Sequence, residues 1–261
     1  MVIMPKNDNS INKSLEKALS LLEYFDEDHE IWGLTELSKK SGISKATLYR
    51  MFNTFEKQGF LERIDIQGKS NQYRLGLKFI QYGTLVSDGL EIKSIAYPHM
   101  LALRNEINED VQLILRDNDH AIYVEKIKCD HPVRLYTKIG RRATFNAGAC
   151  PRAILSFLPD DEIKEIMNHS GFIKYSKNTI MDEEILWESI HKAREKGYTV
   201  SHGEMEEQTV AIGAPIFNYT KNVVASISIA GPEQRFTKDK MDYLISKTLE
   251  TAQKISKALG Y

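Results

Sequence analysis

Leu34-Thr35-Glu36-Leu37-Ser38-Lys39-Lys40-Ser41-Gly42-Ile43-Ser44-Lys45-Ala46-Thr47-Leu48-Tyr49-Arg50-Met51-Phe52-Asn53-Thr54-Phe55-Glu56-Lys57-Gln58-Gly59 holds two amphipathic segments back to back. Gly42 suits the left-handed residue of a tight turn between helices, and Ser44 suits an N-cap whose hydroxyl accepts an otherwise orphan backbone N–H. In the second segment Leu48, Met51, Phe52 and Phe55 recur at helical spacing. That predicts a buried stripe and leaves Ser44, Lys45, Thr47, Arg50, Asn53, Thr54 and Lys57 outward, with Tyr49 at the edge of the face. Such a face can enter a major groove, where Arg or Lys hydrogen-bonds guanine and Thr or Tyr meets phosphates or a thymine methyl.

Downstream, residues 60–64 and 71–75 read as two strands joined by a loop containing Gly68-Lys69-Ser70, a β-wing with a basic, polar tip. Residues 39–78 contain nine Lys or Arg against three acids, whereas the whole chain has 35 Lys and Arg against 36 Asp and Glu. The basic excess is therefore local, which is the electrostatic footprint expected for phosphates. The alternative is an ordinary helical pair with a solvated charged face. Helix, Gly turn, capped helix, Gly and basic hairpin in succession favour a winged helix-turn-helix instead. The residues expected to touch DNA are Ser44, Lys45, Thr47, Tyr49, Arg50, Thr54 and Lys69.

Upstream, Ile11, Leu15, Ala18, Leu19, Leu22 and Phe25 predict a first helix over residues 10–25. Asn12 or Ser14 would be its cap, and its stripe is expected to cover Leu37, Leu48 and Phe52. Beyond the wing, residues 77–89 read as a linker helix. Phe79, Ile80, Leu85 and Val86 lie on more than one of its faces, which suits contact with a second subunit. A helix over 91–107 follows, with Pro98 expected to kink or break it. Strands are expected at 111–116, 121–127, 133–136, 209–217 and 223–229, and helices at 148–158, 160–169, 182–196 and 237–259. The fold class is α+β. The expected domains are 10–76, a winged helix-turn-helix; 77–89, the linker helix; and 90–261, a second domain.

A length of 261 residues suits about two domains, and 42% hydrophobic with 27% charged residues suits a soluble globular protein. No run approaches the roughly 18 apolar residues of a membrane span, and the first residues lack a signal-peptide core, so a cytoplasmic protein that does not touch the membrane is expected. Two cysteines, Cys129 and Cys150, are too few for a disulfide scaffold or zinc cluster. His202-Gly203-Glu204 could give two metal ligands, but no zinc spacing completes them, so neither metal nor cofactor is expected.

Over nearly its full length the chain resembles the IclR family of bacterial transcriptional regulators. The resemblance is carried by Lys13-Ser14-Leu15-Glu16-Lys17-Ala18-Leu19-Ser20-Leu21-Leu22, Leu34-Thr35-Glu36-Leu37-Ser38, Gly42-Ile43-Ser44-Lys45-Ala46-Thr47-Leu48-Tyr49-Arg50 and Tyr73-Arg74-Leu75-Gly76. In the second half it rests on Gly140-Arg141-Arg142, Ala147-Gly148-Ala149, Arg152-Ala153-Ile154-Leu155, Thr179-Ile180, Gly197-Tyr198, Gly203-Glu204, Ala214-Pro215-Ile216-Phe217 and Ile227-Ser228-Ile229-Ala230-Gly231-Pro232. It implies a winged helix-turn-helix joined by the linker helix to a GAF-like α/β effector-binding domain. Family members usually have Gly-Lys at Pro151-Arg152, Gly at Gln208, and often Cys or another small polar residue at Ala211.

Gly148-Ala149-Cys150-Pro151-Arg152 by itself suggests an anion site: Pro151 fits the first helical position, and the small residues before it leave first-turn N–H groups open to a carboxylate. The alternative is that Gly148 merely begins a helix. The resemblance implies effector contacts at Gly148, Ala149, Ser201, Thr209, Ala211, Ser228 and Ala230, with a small organic acid or sugar derivative as ligand. Cys150 at a helix N-terminus invites a nucleophile reading, but no His or acid has a supporting place, so a small buried residue is favoured and no catalytic residue is expected. The expected function is a sequence-specific regulator, read as a repressor, that binds a palindromic double-stranded operator as a homodimer or dimer of dimers (homotetramer) under control of a small effector. Two other readings are an enzyme acting on that ligand and a ligand-independent DNA-binding protein.

Overall fold

The structure is a computed structural model; it describes residues 11–66, 69–135 and 137–261, and of Lys69 and Ser70 the backbone alone. The chain divides into two compact units, one ending at Gly89 and one running from Leu90 to Tyr261.

The first unit contains α1 (Lys13–Ser20), a 3-10 turn (Leu21–Tyr24), β1 (Trp32–Gly33), α2 (Leu34–Ser41), α3 (Lys45–Lys57), β2 (Leu61–Ile66), β3 (Lys69–Leu75) and α4 (Lys78–Asp88). The inter-helix turn forms as its residues dictate. Gly42 sits at φ 70° and donates its N–H to the Ser38 carbonyl at 3.1 Å, while the Ser44 hydroxyl accepts the Thr47 N–H at 3.3 Å. The strands run antiparallel in the order β1-β3-β2, with Trp32 opposite Tyr73 and Leu61 opposite Leu75. Leu34, Leu37, Leu48, Phe52, Leu61 and Tyr73 bury their side chains together. The two-residue β1 was not expected, yet it brings Trp32 into this core. Its indole N–H donates to the Tyr24 carbonyl at 2.7 Å, and the Lys40 ammonium lies 4.8 Å from the ring centre. The expected wing tip, Gly68-Lys69-Ser70, lies outside the described residues except for the backbone of the last two.

The first helix differs from its expectation. α1 is short and buries no residue; Leu15 and Leu19 are 57% and 50% exposed, and Leu21 fills the core instead. The tighter 3-10 winding that begins at Leu21 changes the angular spacing, so Leu21 turns inward while the 11/15/19 stripe stays in solvent. On α4, Ile80, Leu85 and Val86 are likewise exposed, whereas Phe79 and Tyr82 pack against the Phe60 ring at 5.3 and 5.9 Å.

The second unit contains α5 (Glu91–Ile107), β4 (Asp110–Asp117), β5 (His120–Ile127), β6 (Arg142–Ala143), α6 (Ala149–Leu155), α7 (Asp160–Ser170), α8 (Glu183–Lys196), β7 (Thr199–His202), β8 (Thr209–Phe217), β9 (Val223–Pro232), a 3-10 turn (Glu233–Arg235) and α9 (Lys238–Ala258). Its six strands form one antiparallel sheet in the order β6-β5-β4-β9-β8-β7. Side chains alternate across it. Val111, Leu113, Ile212, Ala214, Ile227 and Ile229 face α5 and α9, while Ile114 and Tyr123 join Phe145, Ile154, Ile163 and Ile190 among α6, α7 and α8. α5 runs on through Pro98 rather than breaking. No strand occupies 133–135, and Tyr136 lies outside the described residues; the short β6 pairs with β5 instead. β7 was not expected, because four residues alternating once between polar and apolar give almost no periodic signal.

Candidate DNA-binding face and effector cavity

α3 buries Leu48 and Phe52 and turns Ser44, Lys45, Tyr49, Arg50 and Thr54 to solvent. Lys45 and Arg50 have no acidic partner among the described residues, so both cations are available to a polyanion. Two members of the expected face are already engaged. Thr47 is half-buried with its hydroxyl 2.9 Å from that of Ser44, and Asn53 accepts a 2.7 Å hydrogen bond from Arg63. The Thr54 hydroxyl donates back to the Arg50 carbonyl at 3.0 Å. Arg63 of β2, not singled out in the sequence, also binds Glu56 at 2.7 Å and lies over the rings of Tyr49 and Tyr73. It ties the recognition helix to the hairpin. Desolvation would lower the pKa of its guanidinium, but the neighbouring Tyr73 and Glu56 outweigh it and raise the pKa. The Lys69 side chain lies outside the described residues.

In the second unit all seven expected effector residues line one cavity: Gly148, Ala149, Ser201, Thr209, Ala211, Ser228 and Ala230. The strand register explains the convergence. Ser201 pairs with Ala211, Ala211 with Ala230, and Gln112 with Ser228, so β7, β8 and β9 present short side chains, and β4 the Gln112 amide, on the same face. These make the floor. The roof is the start of α6 together with Tyr123, Leu135, Thr137, Arg141, Met205 and Glu206, none of which was singled out as a site residue. A polar line crosses the space: Ser228 donates to Gln112, whose amide donates to the Thr137 hydroxyl at 3.2 Å. The cavity volume is only about 30 Å³, space for about two water molecules.

The α6 N-terminus is built differently from the expectation. The helix begins at Ala149, which makes Pro151 its third residue rather than its first. Gly148 stands at φ 84°, a conformation that other residues adopt only with strain, and an added Cβ would lie 2.9 Å from Met205 Sδ. Its N–H is not open to a ligand; it donates to Glu204 at 2.9 Å. The same carboxylate takes two hydrogen bonds from Arg152, at 2.6 and 2.8 Å, and both side chains are buried. Glu204 is therefore fully committed, which removes it from the metal-ligand reading of His202-Gly203-Glu204. Among the described residues no three His, Cys, Asp or Glu side chains converge on one point.

Cys150 belongs to the packing. Its Sγ lies 3.0 Å from the Ser226 hydroxyl, which donates to the Cys150 carbonyl at 2.7 Å, and Thr199 donates to the Ala149 carbonyl at 2.6 Å. Burial pushes the thiol up to about 12, outweighing the hydrogen bonds with Ser226 and Ser228 that would lower it. Burial raises the Tyr123 phenol as well.

The IclR helix-turn-helix domain matches residues 14–65, and the bacterial transcriptional regulator IclR C-terminal domain matches residues 84–257. The chain belongs to the IclR family of bacterial transcriptional regulators. It is 46% identical over 250 residues to the HTH-type transcriptional regulator KipR of Bacillus subtilis (strain 168), spanning 96% of this chain and 98% of that protein. A crystal structure of the Thermotoga maritima IclR is 29% identical, covers 95% of this chain and 99% of that one, and superposes with a TM-score of 0.71. An IclR homologue from Microbacterium hydrocarbonoxydans, complexed with 4-hydroxybenzoate, shares the fold at a TM-score of 0.77 and 21% identity, covering 95% of this chain and 99% of that one. IclR-family members are DNA-binding regulators of transcription, not enzymes. In this IclR-family chain no described helix is long and apolar enough to cross a membrane.

Proposed function

We propose that this IclR-family regulator is a cytoplasmic repressor that grips a palindromic operator with two copies of its winged unit and is controlled by a small polar effector held in the second unit. Residues 10–76 would read DNA, 77–89 link, and 90–261 sense. Lys45, Tyr49 and Arg50 are the side chains best presented to base edges and phosphates, with Ser44, Thr47 and Thr54 supporting the helix start and rim and Lys69 serving the wing. The observation that carries the effector reading is the floor of small, hydroxyl and amide residues from four adjacent strands beneath the start of α6. Such a surface offers a ligand hydrogen bonds without charge of its own. The relative complexed with 4-hydroxybenzoate supports a small organic acid or a molecule of similar size.

One recognition helix covers too few base pairs for useful specificity, so two are required, a helical turn or a multiple apart. The exposed apolar residues of α1 and α4 supply a surface for joining copies into a dimer or dimer of dimers. The effector would act through unequal affinity for DNA-competent and incompetent arrangements. The test is operator selection from genomic fragments followed by gel-shift titration, comparing wild type with Ala211→Phe, which fills the cavity. A variant that holds the operator and no longer answers any compound that releases the wild type supports the reading. Release that persists in Ala211→Phe places control elsewhere.

A further inference from the structure

The cavity contains one pair of charges. Among its described lining residues only Arg141 and Glu206 are ionic, and they meet each other at 3.2 Å across its mouth. They are mounted differently. Arg141 belongs to the sheet margin: its carbonyl accepts the Tyr123 N–H at 3.0 Å, which fixes its backbone beside β5. Glu206 sits on the irregular stretch between β7 and β8, next to Met205, whose Sδ accepts a hydrogen bond from the Tyr123 hydroxyl and lies against Gly148.

Two acids on that stretch have opposite roles. Glu204 is locked by Arg152 and the Gly148 N–H, and its carbonyl accepts from Thr179 at 2.7 Å. The Arg141–Glu206 pair is partly open, with side chains 26% and 34% exposed. A pair in contact with water is held weakly and can exchange partners. The enclosed space is too small for an organic molecule, so the roof must yield for a ligand to enter. Its releasable parts are the side chains of Met205 and Glu206, since the Glu206 carbonyl is held by the Thr209 hydroxyl at 2.6 Å.

Resting on the effector reading above, we infer that Arg141 is the residue that selects an anionic ligand, and that the Glu206 carboxylate occupies its place when no ligand is bound. A carboxylate arriving over the strand floor takes the guanidinium, and Glu206 turns out to solvent with Met205. The site then exchanges one carboxylate for another, so no charge is left unpaired in the cavity. A neutral ligand would leave the pair intact and the roof closed. The ligand class is thus a small mono- or dicarboxylate, and discrimination lies with Arg141 rather than with the start of α6.

The experiment uses the full chain and a thermal-shift panel followed by calorimetry: the C2–C6 mono- and dicarboxylates, the primary amides of the same acids, and glucose and xylose. It compares wild type, Arg141→Gln, Glu206→Gln and Ala211→Phe. At least one carboxylate is expected to bind wild type in preference to its amide. Arg141→Gln should lose about tenfold or more in that affinity, the range of a hydrogen bond to a charged group, and should cease to distinguish acid from amide. Glu206→Gln should bind the acid more tightly than wild type, because the internal competitor has gone. If a sugar or amide binds equally in wild type and Arg141→Gln and is lost in Ala211→Phe, the cavity is the effector site and the role of Arg141 is wrong. A carboxylate that binds Arg141→Gln as well as wild type also overturns it, as does a panel in which nothing binds wild type or Glu206→Gln. Binding that survives in Ala211→Phe overturns the effector cavity itself.

Discussion

Arg152 and Glu204, fifty-two positions apart, meet in a buried two-point ion pair, and the Glu204 carboxylate also accepts the Gly148 N–H at the start of α6. Both charges are satisfied together, and neither tolerates loss of the other. Arg152→Met alone should strand a buried carboxylate and cost about 3–5 kcal/mol, a fall of roughly 10 °C in the midpoint of the second unit. The double variant Arg152→Met/Glu204→Leu should recover much of that loss, since the desolvation penalty disappears with the pair. Scanning calorimetry of the single and double variants checks this; a double variant no more stable than the single would refute it.

Arg50→Ala should weaken the selected operator by about 1–3 kcal/mol and relax sequence preference at one base pair. Lys45→Ala should weaken all duplexes alike and reduce the salt dependence of binding by about one counterion. Arg63→Ala should act differently again, through the Asn53 and Glu56 contacts that hold α3 on the hairpin. Gel shifts at two salt concentrations, with circular dichroism as a folding control, separate the three. Unchanged operator affinity for Arg50→Ala removes that residue from the reading face.

The exposed apolar residues Leu15, Leu19, Leu85 and Val86 all belong to the first unit. Leu15→Asp/Leu85→Asp should leave the fold intact, because neither side chain is in the core, while shifting the protein toward monomer. Operator binding should then require a higher protein concentration. Light scattering at micromolar concentration reports the outcome, and an unaltered mass would show that other surfaces join the copies.

Cys150 should be inert. With its thiol at about 12, only about one molecule in ten thousand carries a thiolate at pH 8. Cys129 is buried too and its thiol is also raised by desolvation. An aromatic disulfide reagent should titrate neither cysteine in the native protein within minutes and both after unfolding. Fast native labelling of either would contradict the packing described.

The winged unit was largely legible because its instructions are local. Gly42, the Ser44 cap and the Leu48/Phe52 stripe each act within a few residues, and all appear where their chemistry places them. Strand alternation likewise points Ser201, Thr209, Ala211, Ser228 and Ala230 to one face, although the family resemblance was needed to assemble them. The roof was not legible. Tyr123, Arg141, Met205 and Glu206 come from a strand and two irregular stretches, and what joins them is tertiary packing without period. Glu204 shows the limit most clearly, since nothing near it in sequence announces that Arg152 and Gly148 will claim its carboxylate. The first helix misled in part: Leu22 and Phe25 of its stripe pack against the core, whereas Ile11, Leu15 and Leu19 are just as regularly spaced and face solvent in the single chain.

The chain has two tryptophans, and they fall one to each unit: Trp32 deep in the winged core and Trp187 half-buried on α8 beside His191. Each half of the molecule therefore carries its own optical reporter. A Trp187→Phe protein is lit from the DNA-reading half alone, and a Trp32→Phe protein from the sensing half alone. Following the two emissions through one denaturant titration would show directly whether the halves melt as a single cooperative body or one after the other.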